Sequence, residues 1–288
     1  MKPAPFKYFS PTTLDETLDL LAQSGADAKI LAGGQSLVPT MNFRLAQPSV
    51  LIDLNRVREL FYITPRDNSI AIGAMTRQRA VERDANVAKI APLITETMPF
   101  IAHPQIRNRG TFGGSLAHAD PAAELPAVAM ALNAKLKIKS QKSERWEAAG
   151  NFFTGLFSTT LQPDELLAEI FIPPMPARTG YAFTEVSRRH GDYALAGVAT
   201  IVSLNEKNIC ADARIVLMSV AGQPIDARNA AQNLIGQKLD AKAIDAAANA
   251  VDAEIDPASD IHASAEFRRH LARVLTRRAL TTAVSRAK

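Results

Sequence analysis

The 288-residue sequence contains a single cysteine, Cys210. One thiol closes no internal disulfide, and an iron–sulfur cluster takes about four cysteines, so neither belongs to this chain. Five scattered histidines argue against a dedicated structural zinc site. Any redox metal chemistry connected with the protein must lie on another chain. There is no low-complexity tract, and the arginines are dispersed rather than gathered. A net charge of +4 and a pI near 9.2 therefore make no case for nucleic acid. No secretory leader is read at the N-terminus, and no apolar run approaches the ~20 residues of a membrane span. A soluble, cytoplasmic protein is expected. The length suggests about two domains.

What is present concentrates in residues 106 to 126, IRNRGTFGGSLAHADPAAELP. Gly110, Gly113 and Gly114 fall within five positions, with Asp120, Glu124 and two prolines following. Such clusters let the backbone adopt φ > 0 and approach a ligand with no Cβ between. Successive free N–H groups in a turn of this kind form a concave anion site that suits a phosphate. A second cluster, AGGQS at residues 32 to 36, directly follows an apolar run. Neither is a Walker loop, because no Gly-Lys-Ser/Thr follows. Neither matches the Gly-x-Gly-x-x-Gly dinucleotide fingerprint with a helix opening at once. Two unrelated tight turns would satisfy the spacing alone. The hydroxyl and amide side chains favour a ligand: Gln35 and Ser36 follow one turn, and Thr111 and Ser115 flank the other.

In chain order, residues 6 to 11 read as a short strand ended by Pro11. Thr13 with Glu16 forms a capping box, and Leu14, Leu18 and Leu21 share one helical face, with Gly25 as a stop. Residues 28 to 32 predict a buried strand running into Gly33 and Gly34, and Val50 to Leu54 another. Residues 60 to 64 and 69 to 74 alternate as a hairpin about Arg66, Asp67 and Asn68. Residues 76 to 98 read as mainly helical, broken at Pro92. Asp120 before Pro121 is a favoured cap and first-turn pair; Pro126 then implies a short first turn and a main helix to about Asn133. Residues 136 to 140 and 167 to 172 predict strands. The proline-rich PPMPART, residues 173 to 179, is the best linker, placing a domain boundary near residue 176. Beyond it come three antiparallel strands, then alanine-rich helices over about 226 to 235, 240 to 253 and 263 to 286.

Among the polar residues, Asp120 reads first as a helix cap. Glu124 stands at the wrong offset for a capping box, which leaves its carboxylate free for sugar hydroxyls. His118 is a positioned polar group rather than a general base, since no carboxylate stands at triad spacing. Tyr193, in HGDYALAG, could stack on a flat ring, although a core or rim tyrosine is the commoner case. Arg188 and Arg189 read as a solvated strand end. The C-terminal arginines 268, 269, 273, 277 and 278 read as plain surface, or as a face for an acidic partner.

AGGQSLVPTMNFRLAQPSVLIDLN, IRNRGTFGGSLAHADPAAELP and GDYALAG resemble the FAD-binding medium subunit of molybdenum hydroxylases. The types they are most similar to are the aerobic carbon monoxide dehydrogenase and the quinoline or nicotine dehydrogenase groups, within the xanthine dehydrogenase superfamily. The resemblance covers essentially the whole chain. It implies an α+β architecture: a two-part FAD domain of the vanillyl-alcohol-oxidase (PCMH) type over residues 1–176, with parts at about 1–56 and 57–176. A three-stranded antiparallel sheet with a C-terminal helical bundle would follow, residues 177–288, like the carbon monoxide dehydrogenase flavoprotein C-terminal domain.

By the same resemblance, Ala32, Gly33, Gly34, Gln35 and Ser36, flanked by Ile30, Leu31 and Leu37, would wrap the FAD diphosphate with Thr111, Gly113, Gly114 and Ser115. Ile101 and Ala102 would line the flavin site, with His118, Asp120 and Glu124 around it. Leu167 would lie near the ring system, and Asp192 and Tyr193 beside the isoalloxazine. Gln35 stands where carbon monoxide dehydrogenases carry His, and Phe112 where Ile is usual; both lean toward the N-heteroaromatic branch. The absence of a cysteine-rich insertion separates the chain from the benzoyl-CoA reductase branch.

The implied role is non-covalent FAD binding and electron transfer. A small subunit with two [2Fe–2S] clusters and a large molybdopterin subunit would be the partners, in a dimer of heterotrimers (a heterohexamer), and an external acceptor would take the electrons. No residue of this chain is then needed as general acid or nucleophile. A stand-alone flavoenzyme acting directly on a small substrate is the alternative. A scaffold with a degenerate flavin site is disfavoured by the two intact glycine turns.

Overall fold

A computed structural model describes residues 2–287. The apolar stripe Leu14, Leu18 and Leu21 forms the buried face of the helix Leu14–Ser24. Thr13 caps it by accepting from Glu16 N at 3.2 Å, while the Glu16 carboxylate reaches back to Thr12 N at 2.8 Å. The reciprocal half of the box thus lands one residue earlier than the motif implies. This helix covers a three-stranded parallel sheet of Lys7–Phe9, Val50–Asp53 and Ala28–Leu31, with Val50–Asp53 central.

The middle of the chain builds a five-stranded antiparallel sheet in the order Ile63–Arg66, Ser69–Gly73, Leu166–Ile172, Lys135–Lys139, Glu144–Ala148. The last strand was not expected from the sequence. Its residues ERWEA alternate exposed and half-buried, too weak an apolar signal for an edge strand. Residues 78–97 form three short helices rather than one interrupted helix: Gln78–Arg83, Ala85–Ile90 and Pro92–Thr97. Pro92 breaks the run as expected. A second break falls at Asp84, whose carboxylate accepts from Asn86 N and Val87 N and starts a new helix.

From residue 179 the strands Thr179–Ser187, Ala194–Leu204 and Cys210–Met218 make the expected antiparallel sheet, with the two-residue strand Ile225–Asp226 at its edge. Every residue of Ala194–Leu204 is buried because the strand is covered on both faces. Ala199 and Ile201, with Phe183, pack into the core of the five-stranded sheet region. Val198 and Val202 pack against Leu275, Ala279 and Leu280 of the helix Ala265–Arg286. The proline linker therefore joins two units that share one apolar core. Phe183 meets Phe100 edge-on across this junction, ring centroids 5.3 Å apart.

The basic C-terminal helix is not a free cationic face. Arg268 is buried and donates to Leu195 O and Asp260; Arg273 pairs with Asp252, and Arg277 with Asp245. Ser264 caps this helix, accepting from Phe267 N at 3.1 Å. Ser264→Ala is expected to lower stability by about 1 kcal/mol, read as a shift of the urea midpoint without a change in slope. Among the described residues no helix is long and apolar enough to cross a membrane.

Candidate functional site

The two glycine turns, distant in sequence, touch. A Cβ placed on Gly33 would lie 2.5 Å from Arg109 O and 2.7 Å from Gly110 Cα. One on Gly114 would lie 3.2 Å from the Ala32 Cβ. These glycines are required by turn-on-turn contact rather than by the close approach of a ligand. Gly34 is the position that needs left-handed backbone, with φ +73°. Gly113 has a third reason: its missing Cβ would fall 2.4 Å from the Ala74 Cβ, so the helix Phe112–His118 can lie directly on the chain after Ser69–Gly73.

The turns differ in what they can offer an anion. Gly34, Gln35 and Ser36 N–H have no acceptor among the described residues, and the Gln35 amide turns back onto Gly33 O at 2.9 Å. In the second turn the amides already have partners. Phe112 N donates to Thr76 O, Gly113 N to Ala74 O, Gly114 N to the capping Thr111 hydroxyl and Ser115 N to Thr111 O. The expectation that amides of both turns face one diphosphate is corrected accordingly. The first turn carries the free donors, and the second contributes position together with the half-buried Ser115 side chain.

A polar strut, not foreseen from the sequence, holds the turns in register. Asn55 Nδ2 donates to Ala32 O at 3.0 Å. Arg77 donates to Asn55 Oδ1 with one guanidinium nitrogen and to Arg109 O with another. Ile30 and Leu31 end the strand that feeds the first turn, and Leu37 opens the helix Leu37–Asn42 that leaves it.

A second loop cluster adjoins. Ile101 is buried and Ala102 has φ +42°. Arg107, 5% exposed, pins both carbonyls, donating to Ile101 O at 2.8 Å and Ala102 O at 3.4 Å. It also chelates Glu82 through Nε and Nη2 at 3.0 and 3.2 Å. The C-terminal unit brings its 188–193 loop against this segment. A Cβ on Gly191 would sit 2.6 Å from the His103 ring and 3.0 Å from Ala102 O. Asp192 and Tyr193 follow on this loop, and Tyr193 is 69% exposed rather than a core tyrosine.

Asp120 accepts from Ala122 N at 2.9 Å but does not cap the following helix, which begins at Glu124 with Ala123 as its N-cap. Because Pro126 fits only within the first turn of a helix, the helix starts three residues later than the Asp-Pro pair suggested. Glu124 is thereby only 9% exposed, with no side-chain partner beyond its own backbone amide, and burial pushes its carboxyl up to about 7. The neighbouring Glu185 is pushed to about 8, by burial first and by Glu124 second. Burial also lowers His118, whose ring lies 5.1 Å from Phe157. Leu167 is buried in the strand Leu166–Ile172, next to a break in register between Leu167 and Glu169.

The structure thus gathers Gly33, Gly34, Gln35 and Ser36 with the 110–115 turn, and Ile101 and Ala102 with the 191–193 loop. Asn55, Arg77, Arg107 and Glu185 are the residues of this region that sequence patterns did not single out. Unbonded amide donors in one turn suit an anionic diphosphate, and the buried Glu124 carboxyl adds an acceptor, a set of groups that fits a flavin dinucleotide. Among the described residues no group of three or more His, Cys, Asp or Glu is disposed to hold a metal ion.

Comparison with known proteins places the same architecture over the whole chain. Residues 4–175 match the FAD binding domain in molybdopterin dehydrogenase, and residues 181–283 the CO dehydrogenase flavoprotein C-terminal domain. The chain is 44% identical over 288 residues to the alpha subunit of the 6-hydroxypseudooxynicotine dehydrogenase complex of Paenarthrobacter nicotinovorans, covering 100% of this chain and 97% of that one. It superposes on carbon monoxide dehydrogenase from Hydrogenophaga pseudoflava with a TM-score of 0.97 at 38% identity, over 99% of both chains. On quinoline 2-oxidoreductase from Pseudomonas putida the TM-score is 0.93 at 39% identity, over 100% of this chain and 99% of the other.

Proposed function

The chain belongs to the family of FAD-binding medium subunits of the molybdenum hydroxylases, and from that premise we propose where FAD sits and what it serves. The diphosphate lies on the free amides of Gly34, Gln35 and Ser36, backed by the second turn and the Ser115 hydroxyl. Ile101, Ala102 and Tyr193, which the 188–193 loop brings to the same junction, would hold the flavin half. Glu124 accepts from the ribityl hydroxyls. The observation that carries this reading is the direct contact of the two glycine turns, with unbonded donors on only one of them.

FAD, when bound, accepts electrons singly and releases them as a pair. The protein's own part is to hold and shield. The free N–H groups balance the diphosphate charge, and the shared apolar core fixes the two walls of the crevice. The 188–193 loop sets the access of solvent and of an acceptor to the ring. The electrons come from [2Fe–2S] clusters of a small partner subunit, and a large molybdopterin subunit oxidises the substrate. The complete assembly is a dimer of heterotrimers, located in the cytoplasm, that delivers electrons to an external acceptor. The domain boundary lies near residue 176, a placement supported by the family matches ending at 175 and resuming at 181.

The test is spectroscopic. The purified complex should show flavin absorbance at one FAD per chain, reduced when substrate is added to the assembled subunits and not when it is added to this chain alone. Substrate reduction of the isolated flavoprotein would establish the stand-alone alternative instead. Tyr193→Ala should retain FAD, since one exposed aromatic contact is worth only ~0.5–1.5 kcal/mol. The flavin reduction potential and reoxidation rate should change. Unaltered values of both would remove Tyr193 from the ring environment.

A further inference from the structure

The helix Leu37–Asn42, which leaves the first glycine turn, ends in a fully bonded cap. Arg44 N donates to Met41 O and Leu45 N to Thr40 O, both at 2.9 Å, with Arg44 in the left-handed region at φ +59°. This is a Schellman cap, which an apolar contact from the residue in the Leu45 place frequently completes. Here that residue is left in water. Leu45 is 81% exposed, Phe43 68% and Val38 42%, three large apolar side chains within eight positions. The bonded backbone presents them in one fixed arrangement. Apolar exposure gathered in this way marks an interaction surface, whereas single exposed apolar residues need no explanation.

The surface continues toward the N-terminus. Arg44 Nε donates to Lys2 O at 3.4 Å, and Gln47 Nε2 to Arg44 O at 3.1 Å. Beside them lies an open hollow of about 400 Å³, lined by Pro5, Phe6, Lys7, Gln47 and Pro48 among others. Charge here has one sign. Lys2, Lys7 and Arg44 are exposed, while no Asp or Glu occurs before Asp15 or between Asp27 and Asp53. A bilayer interface takes an amphipathic helix with cations along its polar face. Leu37–Asn42 is six residues long and carries no charge. Protruding aromatic and aliphatic side chains with arginine among them are instead the anatomy of a protein interface.

We propose that Val38, Phe43 and Leu45, with the adjoining hollow, form the docking face for the iron–sulfur subunit, which meets it with an apolar recess rimmed by carboxylates. The inference rests on the multi-subunit assembly proposed above, in which the electron donor is the partner obliged to touch this chain. An interface of standard size covers about 800 Å² on each partner. A subunit seated here therefore also reaches the cofactor turn, since Val38 Cγ2 lies 3.2 Å from where a Cβ on Gly34 would stand. The cationic rim selects an acidic partner and speeds its approach.

The experiment co-expresses the three subunits with a tag on the iron–sulfur subunit and reads how much of this chain is retained, by native mass spectrometry over a dilution series. Phe43→Asp combined with Leu45→Asp should weaken retention about thirtyfold or more, the scale of an interface hot spot. Melting of the isolated variant chain by circular dichroism should match wild type, because both side chains are exposed. Arg44→Glu should weaken retention less and make it less sensitive to salt. In a second arm, the photo-reactive residue p-benzoylphenylalanine at position 45 of the otherwise wild-type complex should cross-link to the iron–sulfur subunit; this arm decides if the double variant fails to fold. The inference is overturned if the double variant is retained as wild type is, or if the cross-link is absent or goes to the large subunit or to a second copy of this chain. Phe43-dependent binding of the chain to phosphatidylserine vesicles overturns it in favour of a membrane surface. Absence of any complex with the wild-type chain overturns the parent reading and this one together.

Discussion

Gly33→Val is expected to yield a folded chain that purifies colourless. The new Cβ falls 2.5 Å from Arg109 O and 2.7 Å from Gly110 Cα, both backbone atoms, so no side-chain rotation relieves the overlap. The turns must separate, and the free donors of Gly34, Gln35 and Ser36 shift relative to Ser115. Overpacking of this kind costs about 1–3 kcal/mol, which at the upper end is roughly a hundredfold in FAD affinity. Gly33 is only half-buried and Arg109 is exposed, so the melting transition should move little. Gly150→Ala, at a site with nothing within 4 Å of the added carbon, is the matched control and should retain FAD.

Gly113→Val separates ligand from fold. Its Cβ would fall 2.4 Å from the Ala74 Cβ at a fully buried contact. There the loss of FAD should accompany a loss of stability, with circular dichroism and flavin absorbance failing together. A Gly33→Val protein that keeps full flavin absorbance would show that the contact between the turns does not set the diphosphate site. The motive for each glycine thus comes from what its missing Cβ would strike, not from its membership in a cluster.

How far the sequence reached follows the range of the interactions involved. The leucine stripe of Leu14–Ser24, the strand Ala28–Leu31 entering the first turn and the three long strands after the proline linker are local patterns, and all are legible. Both turns were found because glycine density is local too. Which amides remain free was not legible, since Thr76 O and Ala74 O, about forty residues away, are what occupy the second turn. The strut fails for the same reason: Asn55 and Arg77 gain their role only when two loops meet. Asp120 was misplaced because an Asp-Pro pair signals a turn as readily as a helix start, and only the packing of Glu124–Ala131 decides between them. Glu185 carries no local signal at all. It is one acid in a strand whose enclosure depends on the other unit.

Arg107→Ala is the second substitution with a large expected effect, and it acts on the flavin end of the crevice. The guanidinium makes four hydrogen bonds, two to Glu82 and two to the Ile101 and Ala102 carbonyls. Removing it leaves two carbonyls of a left-handed loop without their donor, and leaves Glu82 with Arg79 alone at 2.8 Å. Breaking a buried ion pair from one side costs about 3–5 kcal/mol; with Arg79 still in place, the lower end is expected in urea unfolding at neutral pH. Lysine should not rescue, because one ammonium cannot bridge a carboxylate and two carbonyls in that fork. The pH dependence has a definite sign. Burial works against a charged Glu82, but the hydrogen bonds from Arg107 and Arg79 outweigh it and hold its carboxyl below the ordinary range. That stability is present above the unfolded carboxylate value of about 4.3 and is lost as the pH falls through the lower folded value. The gap between wild type and Arg107→Ala should therefore narrow in acid. A variant as stable as wild type at neutral pH, or full rescue by lysine, would mean that the 101–102 loop is held by its own packing. The crevice wall would then owe nothing to the buried arginine.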